Sequence, residues 1–357
     1  MKNSYSHGGN YWQVAKRYGF SPGEVLDFSA NINPWTNSPG IEEIVRVNVK
    51  NIYHYPDPQC TELIKQISQY LDVGRENILA GNGSTELIYL AARVLLPRRA
   101  LILAPTFFEY ERALKTCRAE PKFLFLKESQ GFSVSIQKII RATEDVETIF
   151  ICNPNNPTGT FFPKEKLLKL VEIIEEKRIA LILDESYLDF KYPGESLIGE
   201  AQKSNYLLVL KSFTKFFGIA GLRLGYGIGG RRVIEKMAHF KEPWTVNSLA
   251  QVAGAYLLRN KHRIKKIREA VGKESEFLFG QLSRIAGLKP YPPGANFILV
   301  KIETGLSSSK LQEELAKAGI LIRDCSNFAG LNDKFFRVAV RKREENLRLI
   351  DSLREAI

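Results

Sequence analysis

The sequence predicts an α/β protein: a large domain built on a mostly parallel sheet flanked by helices, followed by a smaller α+β C-terminal domain. Three observations predict it. Between about Glu42 and Ile228, short apolar runs alternate with segments of helical spacing, the pattern of strands joined through crossover helices. The run over 179–183 is apolar almost throughout, as a strand buried on both faces is. After Trp244 the texture changes to two long helical segments, three further strands and more helix. The 357 residues suffice for one large and one smaller domain. The division predicted is an N-terminal arm over 1–40, a large domain over 41–245 and a small domain over 246–357.

Taken in order, residues 1–40 read as an arm laid across the rest. They carry His7-Gly8-Gly9-Asn10, a short helical pattern over 11–18, and Asn31-Ile32-Asn33-Pro34. Helical spacing follows over 61–71 and 84–95, with Ser84 expected as the N-cap of the second. The apolar run 100–104 leads into a helix over 108–117. Strands are expected over 122–126 and 148–152, an amphipathic helix over 164–177, and strands over 179–183, 206–210 and 222–228. Beyond Trp244, helices are expected over 248–259 and 262–286. Strands over 296–302, 320–323 and 336–340 follow, with a helix over 308–318 between the first two and a last helix over 344–356.

Composition narrows the class. No apolar run approaches the ~20 residues that span a bilayer, and the first ten residues hold no signal-peptide h-region. Cys60, Cys117, Cys152 and Cys325 are scattered, without a C-x-x-C pair. They read as free thiols of a cytoplasmic protein, and no metal site is expected. The net charge of +12 fits several anionic partners. Its densest basic run, 261–273, keeps Ile264, Ile267 and Val271 at helical spacing, so it reads as the solvated face of a helix. No nucleic-acid-binding motif is recognised, and a field of this sign could also draw in a phosphorylated substrate.

Chemistry concentrates at the ends of the predicted strands. In Lys211-Ser212-Phe213-Thr214-Lys215-Phe216-Phe217-Gly218, Lys215 sits among hydroxyls and apolar groups rather than charges. Partial burial disfavours an ammonium, so such an amine can act as a nucleophile toward an aldehyde. Ser212, Thr214 and Arg223 form a donor set that suits a phosphate. Asn82-Gly83-Ser84-Thr85-Glu86 opens a helix, and free amides at a helix start also suit a phosphate. Pro105-Thr106-Phe107 follows the strand 100–104, where Phe107 either stacks on a ligand ring or joins the core beside Phe108. Asn153-Pro154-Asn155-Asn156-Pro157-Thr158-Gly159 is a rigid turn after 148–152; Asn156 can offer its amide to a phenolic oxygen or close an Asx-turn. Asp184-Glu185-Ser186-Tyr187 ends the strand 179–183. A carboxylate there needs a partner, either a ring N–H or a helix it caps, and Tyr187 lies close enough to reach a ring hydroxyl. An aromatic, an amide, a carboxylate and a lysine at four strand ends each suit a different atom of one flat, phosphorylated, aldehyde-bearing ring.

This set resembles the fold-type I enzymes dependent on pyridoxal 5′-phosphate (PLP), in the class I/II aminotransferase group. The resemblance implies that Lys215 carries the cofactor, Asp184 pairs with its pyridine nitrogen, Tyr187 and Asn156 contact its ring oxygen, and Phe107 stacks on its ring. It assigns the phosphate to Gly83, Ser84, Thr85, Ser212, Thr214 and Arg223. Tyr55, in Tyr-Pro-Asp-Pro, resembles the tyrosine that reaches the partner subunit's cofactor phosphate, which implies a homodimer. Phe107 stands where many relatives carry Tyr or Trp. Within the group, His7-Gly8-Gly9-Asn10, the stretch 27–34, Pro243-Trp244-Thr245-Val246-Asn247, Pro293-Gly294-Ala295-Asn296 and the stretches 320–327 and 336–340 resemble the threonine-phosphate decarboxylases of cobalamin synthesis. Histidinol-phosphate aminotransferases are the near relatives.

Arg323 and Arg337 suit a substrate that carries both a carboxylate and a phosphate, since each guanidinium presents a planar fork. The resemblance gives the carboxylate to Arg337 and the phosphate to Arg323, with the division left open. His7 and Asn33 are candidates to close over the substrate, although the two glycines after His7 also suit a plain turn. Three functions follow as expectations: decarboxylation of threonine phosphate or serine phosphate, transamination of histidinol phosphate or a similar amino acid, or binding without catalysis on the same fold. The intact Lys215, Asp184 and Tyr187 set argues against the last.

Overall fold

Apolar segments alternating with helices pair into one sheet, but not in simple chain order, and the departure makes room for a ligand. The computed structural model describes residues 7–36, 39–259 and 261–357. It opens with β1 (Leu26–Asp27). Seven strands of a large sheet follow: β2 (Ile78–Gly81), β3 (Arg99–Ala104), β4 (Glu120–Phe125), β5 (Thr148–Cys152), β6 (Ala180–Asp184), β7 (Leu207–Ser212) and β8 (Gly225–Gly229). The remainder adds β9 (Leu288–Pro290), β10 (Phe297–Ile302), β11 (Ile320–Leu321), β12 (Arg323–Asp324) and β13 (Phe335–Ala339).

The large sheet has the order β2-β8-β7-β6-β5-β3-β4. Only β8 runs against its neighbours; the pairings among β3 to β7 are parallel. β4 lies outside β3, and β5 returns on the other side of β3, so the strand order reverses there. Ligands of open α/β sheets bind beyond the strand C-termini near such a reversal. β5 and β7 are buried along their whole length. Leu87, Ile88, Leu167 and Leu170 of the covering helices close over them in one continuous core. Each such side chain contributes roughly 1.5–3 kcal/mol when fully buried.

The C-terminal sheet is antiparallel, in the order β12-β13-β10-β9. Its own core joins Leu278, Leu282, Ile298, Val300, Phe336, Val338, Leu349 and Leu353. The arm is stitched to this layer: β1 pairs parallel with β11, and Phe28 is buried in the second core. Helix Ser248–Arg259 packs against Thr61–Leu71 and Pro39–Asn48. Ile264, Ile267 and Val271 also join the large core, so its packing continues past residue 245. Of the basic residues around them on helix Lys261–Leu282, Lys265, Lys266 and Lys273 are exposed, whereas Arg268 is half-buried and its Nε donates to Asp189 O at 3.0 Å. Among the described residues no helix is long and apolar enough to cross a membrane. The four cysteines are free thiols.

Several local expectations shift. The helix over 84–95 starts at Gly83, so Asn82 rather than Ser84 holds the N-cap position, and Glu86 Oε2 accepts from the Asn82 N–H. The expected strand 222–228 begins at Gly225, because Ala220–Leu222 winds into a 3-10 turn and Arg223 adopts φ +57°. The expected strand 320–323 divides into β11 and β12, which belong to different sheets. β2, β9 and helix Arg231–Phe240 had no sequence signal strong enough to place them; β2 is four residues long, and its pattern merges with the flanking turns.

Gly225 shows how tightly the layers meet. A Cβ there would press on the Ser84 amide nitrogen, lie 2.8 Å from the Gly83 carbonyl carbon and 2.9 Å from Lys211 O, all of it backbone. Gly225→Ala is expected to destabilise the fold by about 1–3 kcal/mol, read as a lower urea midpoint at unchanged m-value.

Candidate active site

The four strand ends converge. Phe107 follows β3, Asn156 follows β5, Asp184 is the last residue of β6, and Lys215 lies in the single helical turn Phe213–Phe216 after β7. All four line one cavity. Alternation along β6 and the turn after it sends neighbouring carboxylates opposite ways. Asp184 faces the cavity, while buried Glu185 pairs with Lys211 at 3.6 Å, and Lys211 Nζ donates to Asp189 Oδ1 at 3.0 Å. That buried ion cluster ties the ends of β6 and β7 together behind the site.

Asp184 is buried with both oxygens held. Oδ1 accepts from the Ser186 N–H at 2.9 Å, and Oδ2 accepts from the Tyr110 hydroxyl at 2.8 Å. Tyr110 stacks on Phe150 and sits edge-on to Phe107. It is a site residue the sequence reading passed over. Its signal was an aromatic three positions after Phe107, one helical turn on. Burial and the nearby carboxylate push the Tyr110 hydroxyl well above its ordinary range, so it stays a donor.

Lys215 meets the demand placed on it. Burial, then the positive charges of Arg337 and Arg223, bring its amine down to about 8. Burial pushes Tyr187 up to about 12, so its phenol is protonated near neutrality, and Asn31 Nδ2 donates to its oxygen at 3.4 Å.

The phosphate candidates gather at the other end of this cavity. Ser84 and Thr85 lie in the first helical turn after Asn82, and Ser212 and Thr214 line the same wall with Arg223. Arg223 Nη1 donates to Thr214 Oγ1 at 3.2 Å. Gly83, at φ +77°, backs the cradle: a Cβ there would lie 2.6 Å from Arg223 Nη2. Hydroxyls, helix-start amides and one arginine at one end, a depressed lysine amine at the middle and a doubly anchored carboxylate on the floor fit pyridoxal phosphate by their chemistry.

A second cavity, of about 480 Å³, adjoins the first and shares Lys215, Asn156, Tyr187, Phe107 and Arg223 with it. Arg323 and Arg337 both line it, as does His7. β12 and β13 place the two arginines directly opposite each other in register. Each is only 5% exposed. Their partners are neutral: Arg337 donates to Asn156 Oδ1 and, at 2.6 Å, to Ser29 O, and Arg323 donates to Asn327 Oδ1 at 2.8 Å. Arg323 also lies over the Phe328 ring, 5.2 Å from its centroid. Arg337 Nε is buried without a partner. Burial brings Arg323 down to about 10 and lowers Arg337 as well.

Two sequence candidates lie elsewhere. Asn33 lines neither cavity; its Nδ2 donates to Phe216 O at 2.7 Å and its Oδ1 accepts from the Trp35 N–H, so its amide clamps the arm to the Lys215 turn. Asn31, two residues earlier, lines the second cavity instead, with its Oδ1 buried and unpartnered. The two asparagines alternate sides of one extended stretch, and the sequence alone did not say which side faces inward. Tyr55 lines neither cavity; it is 80% exposed against Trp244, with ring centroids 4.7 Å apart.

Known proteins share this architecture. The family described as "Aminotransferase class I and II" matches residues 23–353. A provisionally named threonine-phosphate decarboxylase from Caldanaerobacter subterraneus subsp. tengcongensis is 40% identical over 98% of this chain and 93% of its own length. The threonine-phosphate decarboxylase of Salmonella typhimurium is 36% identical over 99% of this chain and 96% of its own. The crystal structure of the histidinol-phosphate aminotransferase from Clostridium acetobutylicum superposes with a TM-score of 0.86 at 32% identity, covering 93% of this chain and 98% of that one.

Removing the Tyr110 hydroxyl leaves a buried carboxylate short of one donor. Tyr110→Phe is expected to cost about 1–3 kcal/mol of stability without cofactor, measured by denaturant unfolding; an unchanged midpoint would mean that Asp184 has no need of that bond.

Proposed function

This chain belongs to the aminotransferase class I and II family, and on that premise we propose that it is a PLP-dependent decarboxylase of L-threonine O-3-phosphate. The product is (R)-1-aminopropan-2-yl phosphate, for the aminopropanol linker of cobalamin. The observation that carries the reading is the facing pair Arg323 and Arg337. Two buried cations in cross-strand register repel each other, and among the described residues neither forms an ion pair. A substrate with two anionic groups, entering beside an amine poised at about 8, relieves that cost. The decarboxylases at 40% and 36% identity support this choice of substrate over the aminotransferase at 32%.

In this reading Lys215 holds the cofactor's aldehyde end, and Asp184 holds the ring nitrogen with its proton. Phe107 covers the ring face, and Tyr187 and Asn156 meet the ring oxygen. Ser84, Thr85, Ser212, Thr214 and Arg223 hold the phosphate, with Gly83 making room behind them. Bound there, pyridoxal phosphate supplies an electron-withdrawing ring that drains charge from the substrate's Cα. The chain's own residues then decide which bond breaks. Arg337 would take the substrate carboxylate and Arg323 its phosphate, and the bond at Cα that these two clamps orient for cleavage would decide between loss of CO2 and transfer. The Lys215 amine would return a proton to Cα after loss of CO2. Transamination is the second reading, and the similarity to the aminotransferase is what supports it. A decarboxylase that prefers serine phosphate differs by one methyl, worth only about 1–3 kcal/mol.

A homodimer completes the proposal. Val47, Ile52, Tyr53, Tyr55 and Trp244 are exposed apolar residues along one stretch of surface and its neighbour. A second copy seated there would cover them, and Tyr55 would serve the partner's phosphate cradle. The expected location is the cytoplasm, and the division into arm, large domain and small domain is kept as proposed from the sequence.

Incubation with threonine phosphate and no keto acid is expected to release CO2 and aminopropanol phosphate; a strict need for 2-oxoglutarate would favour transfer instead. Lys215→Ala is expected to lose roughly a thousandfold or more in turnover, and full activity in it would end the reading. Ile52→Glu is expected to shift the sedimentation of a wild-type dimer toward monomer; a wild-type protein already monomeric at micromolar concentration would remove the dimer.

A further inference from the structure

The second cavity holds one carboxylate amid its cations. Lys215, Arg112, Arg223, Arg323 and Arg337 line it together with Glu109. Glu109 is the first residue of helix Glu109–Thr116 and only 3% exposed. A buried carboxylate is costly unless its oxygens are filled, and here they are. Oε1 accepts from His7 Nε2 at 2.9 Å and from Arg112 Nη1 at 2.8 Å, and Oε2 accepts from the Tyr89 hydroxyl at 2.6 Å. Burial alone would raise Glu109, but the bonds from His7, Tyr89 and Arg112 outweigh it and hold the carboxyl at about 2.

This network reaches the arm. His7 packs on Phe108, with ring centroids 4.5 Å apart, and Phe108 meets Phe328 edge-on at 6.4 Å. Phe328 in turn lies under Arg323. His7 and Arg112 therefore belong to the Arg323 end of the cavity. Behind His7, a Cβ at Gly8 would collide with Ser29 O, and Gly9 N donates to Ser29 Oγ at 2.7 Å, so the arm lies tight against the cavity wall. With Nε2 of His7 donating to Glu109, Nδ1 is the other ring nitrogen, and it donates to a phosphate when the ring carries both protons.

We infer that Glu109 is a positioning residue that seats the His7 imidazole and the Arg112 guanidinium at the Arg323 end of the cavity, where both meet the phosphate of the substrate. The inference rests on the reading above in one respect, that the substrate carries a phosphate. Glu109 touches no reacting atom. It sets the affinity and the preference for phosphorylated ligands through the imidazole and the guanidinium it anchors.

The test is calorimetric binding to the PLP-loaded protein of threonine phosphate and threonine, and of histidinol phosphate and histidinol. Wild type is expected to prefer the phosphorylated member of one pair. Glu109→Gln is expected to weaken that member about tenfold or more while weakening its unphosphorylated counterpart less than about twofold. His7→Asn should show the same selective loss, and the double variant should be little worse than the worse single one. Tyr89→Phe, which loosens the carboxylate from its other oxygen, should show the same loss at about threefold, and serves if Glu109→Gln does not fold. Equal weakening of both ligands, no weakening, or additive losses would overturn the inference. A wild type that does not prefer a phosphorylated ligand would fail the substrate reading and this inference together, whereas failure in the variants alone leaves that reading intact.

Discussion

Two guanidiniums face each other across β12 and β13, neither ion-paired among the described residues, and neighbouring segments are arranged to tolerate that repulsion. Arg337 leans on neutral oxygens from two other segments, Asn156 after β5 and Ser29 in the arm. Arg323 leans on Asn327 and the Phe328 ring. Three segments of the chain thus meet at this charge pair. An antiparallel C-terminal sheet that carried only structural residues would put apolar side chains at these register positions, as β10 does with Leu299, the residue opposite Arg337.

The opposite pole is the β6–β7 pair, where charge is handled differently. Asp184 is satisfied from within by Tyr110 and a backbone amide, and Glu185 and Asp189 share the one cation Lys211 away from the cavity. One side of the site is therefore preorganised around carboxylates, while the other is cationic. Lys215 stands between them, and its amine is lowered by burial and by those same arginines. The charges that prepare a place for the substrate also sharpen the nucleophile, so a single arrangement serves both ends.

Most of the large layer was legible because parallel strands buried on both faces leave continuous apolar runs, and the site residues follow each run directly. Phe107, Asn156, Asp184 and Lys215 stand at or just past the ends of those runs, which made them candidates; their roles came from the resemblance. What escaped depends on direction rather than composition. Asn31 and Asn33 differ only in which side of an extended segment they occupy. Tyr110 and Glu109 are separated from the strand end by a turn whose geometry no local pattern fixes. The split of 320–323 into β11 and β12 came from pairing with two partners far apart in the chain, and pairing of that kind leaves no trace in a window of a few residues.

The pairing of β1 with β11 joins the beginning of the described chain to a strand made almost three hundred residues later. Until the ribosome has released that later strand, Leu26 and Asp27 lack their strand partner, and the stretch that brings Ser29 and Asn31 to the cavity is anchored at Asn33 but not at β1. A nascent chain halted anywhere before β11 can have a folded large sheet and still lack a closed pocket. A chain that ends before β11 also lacks Arg323 and Arg337, so the wall they give the second cavity is among the last parts of the molecule to be made.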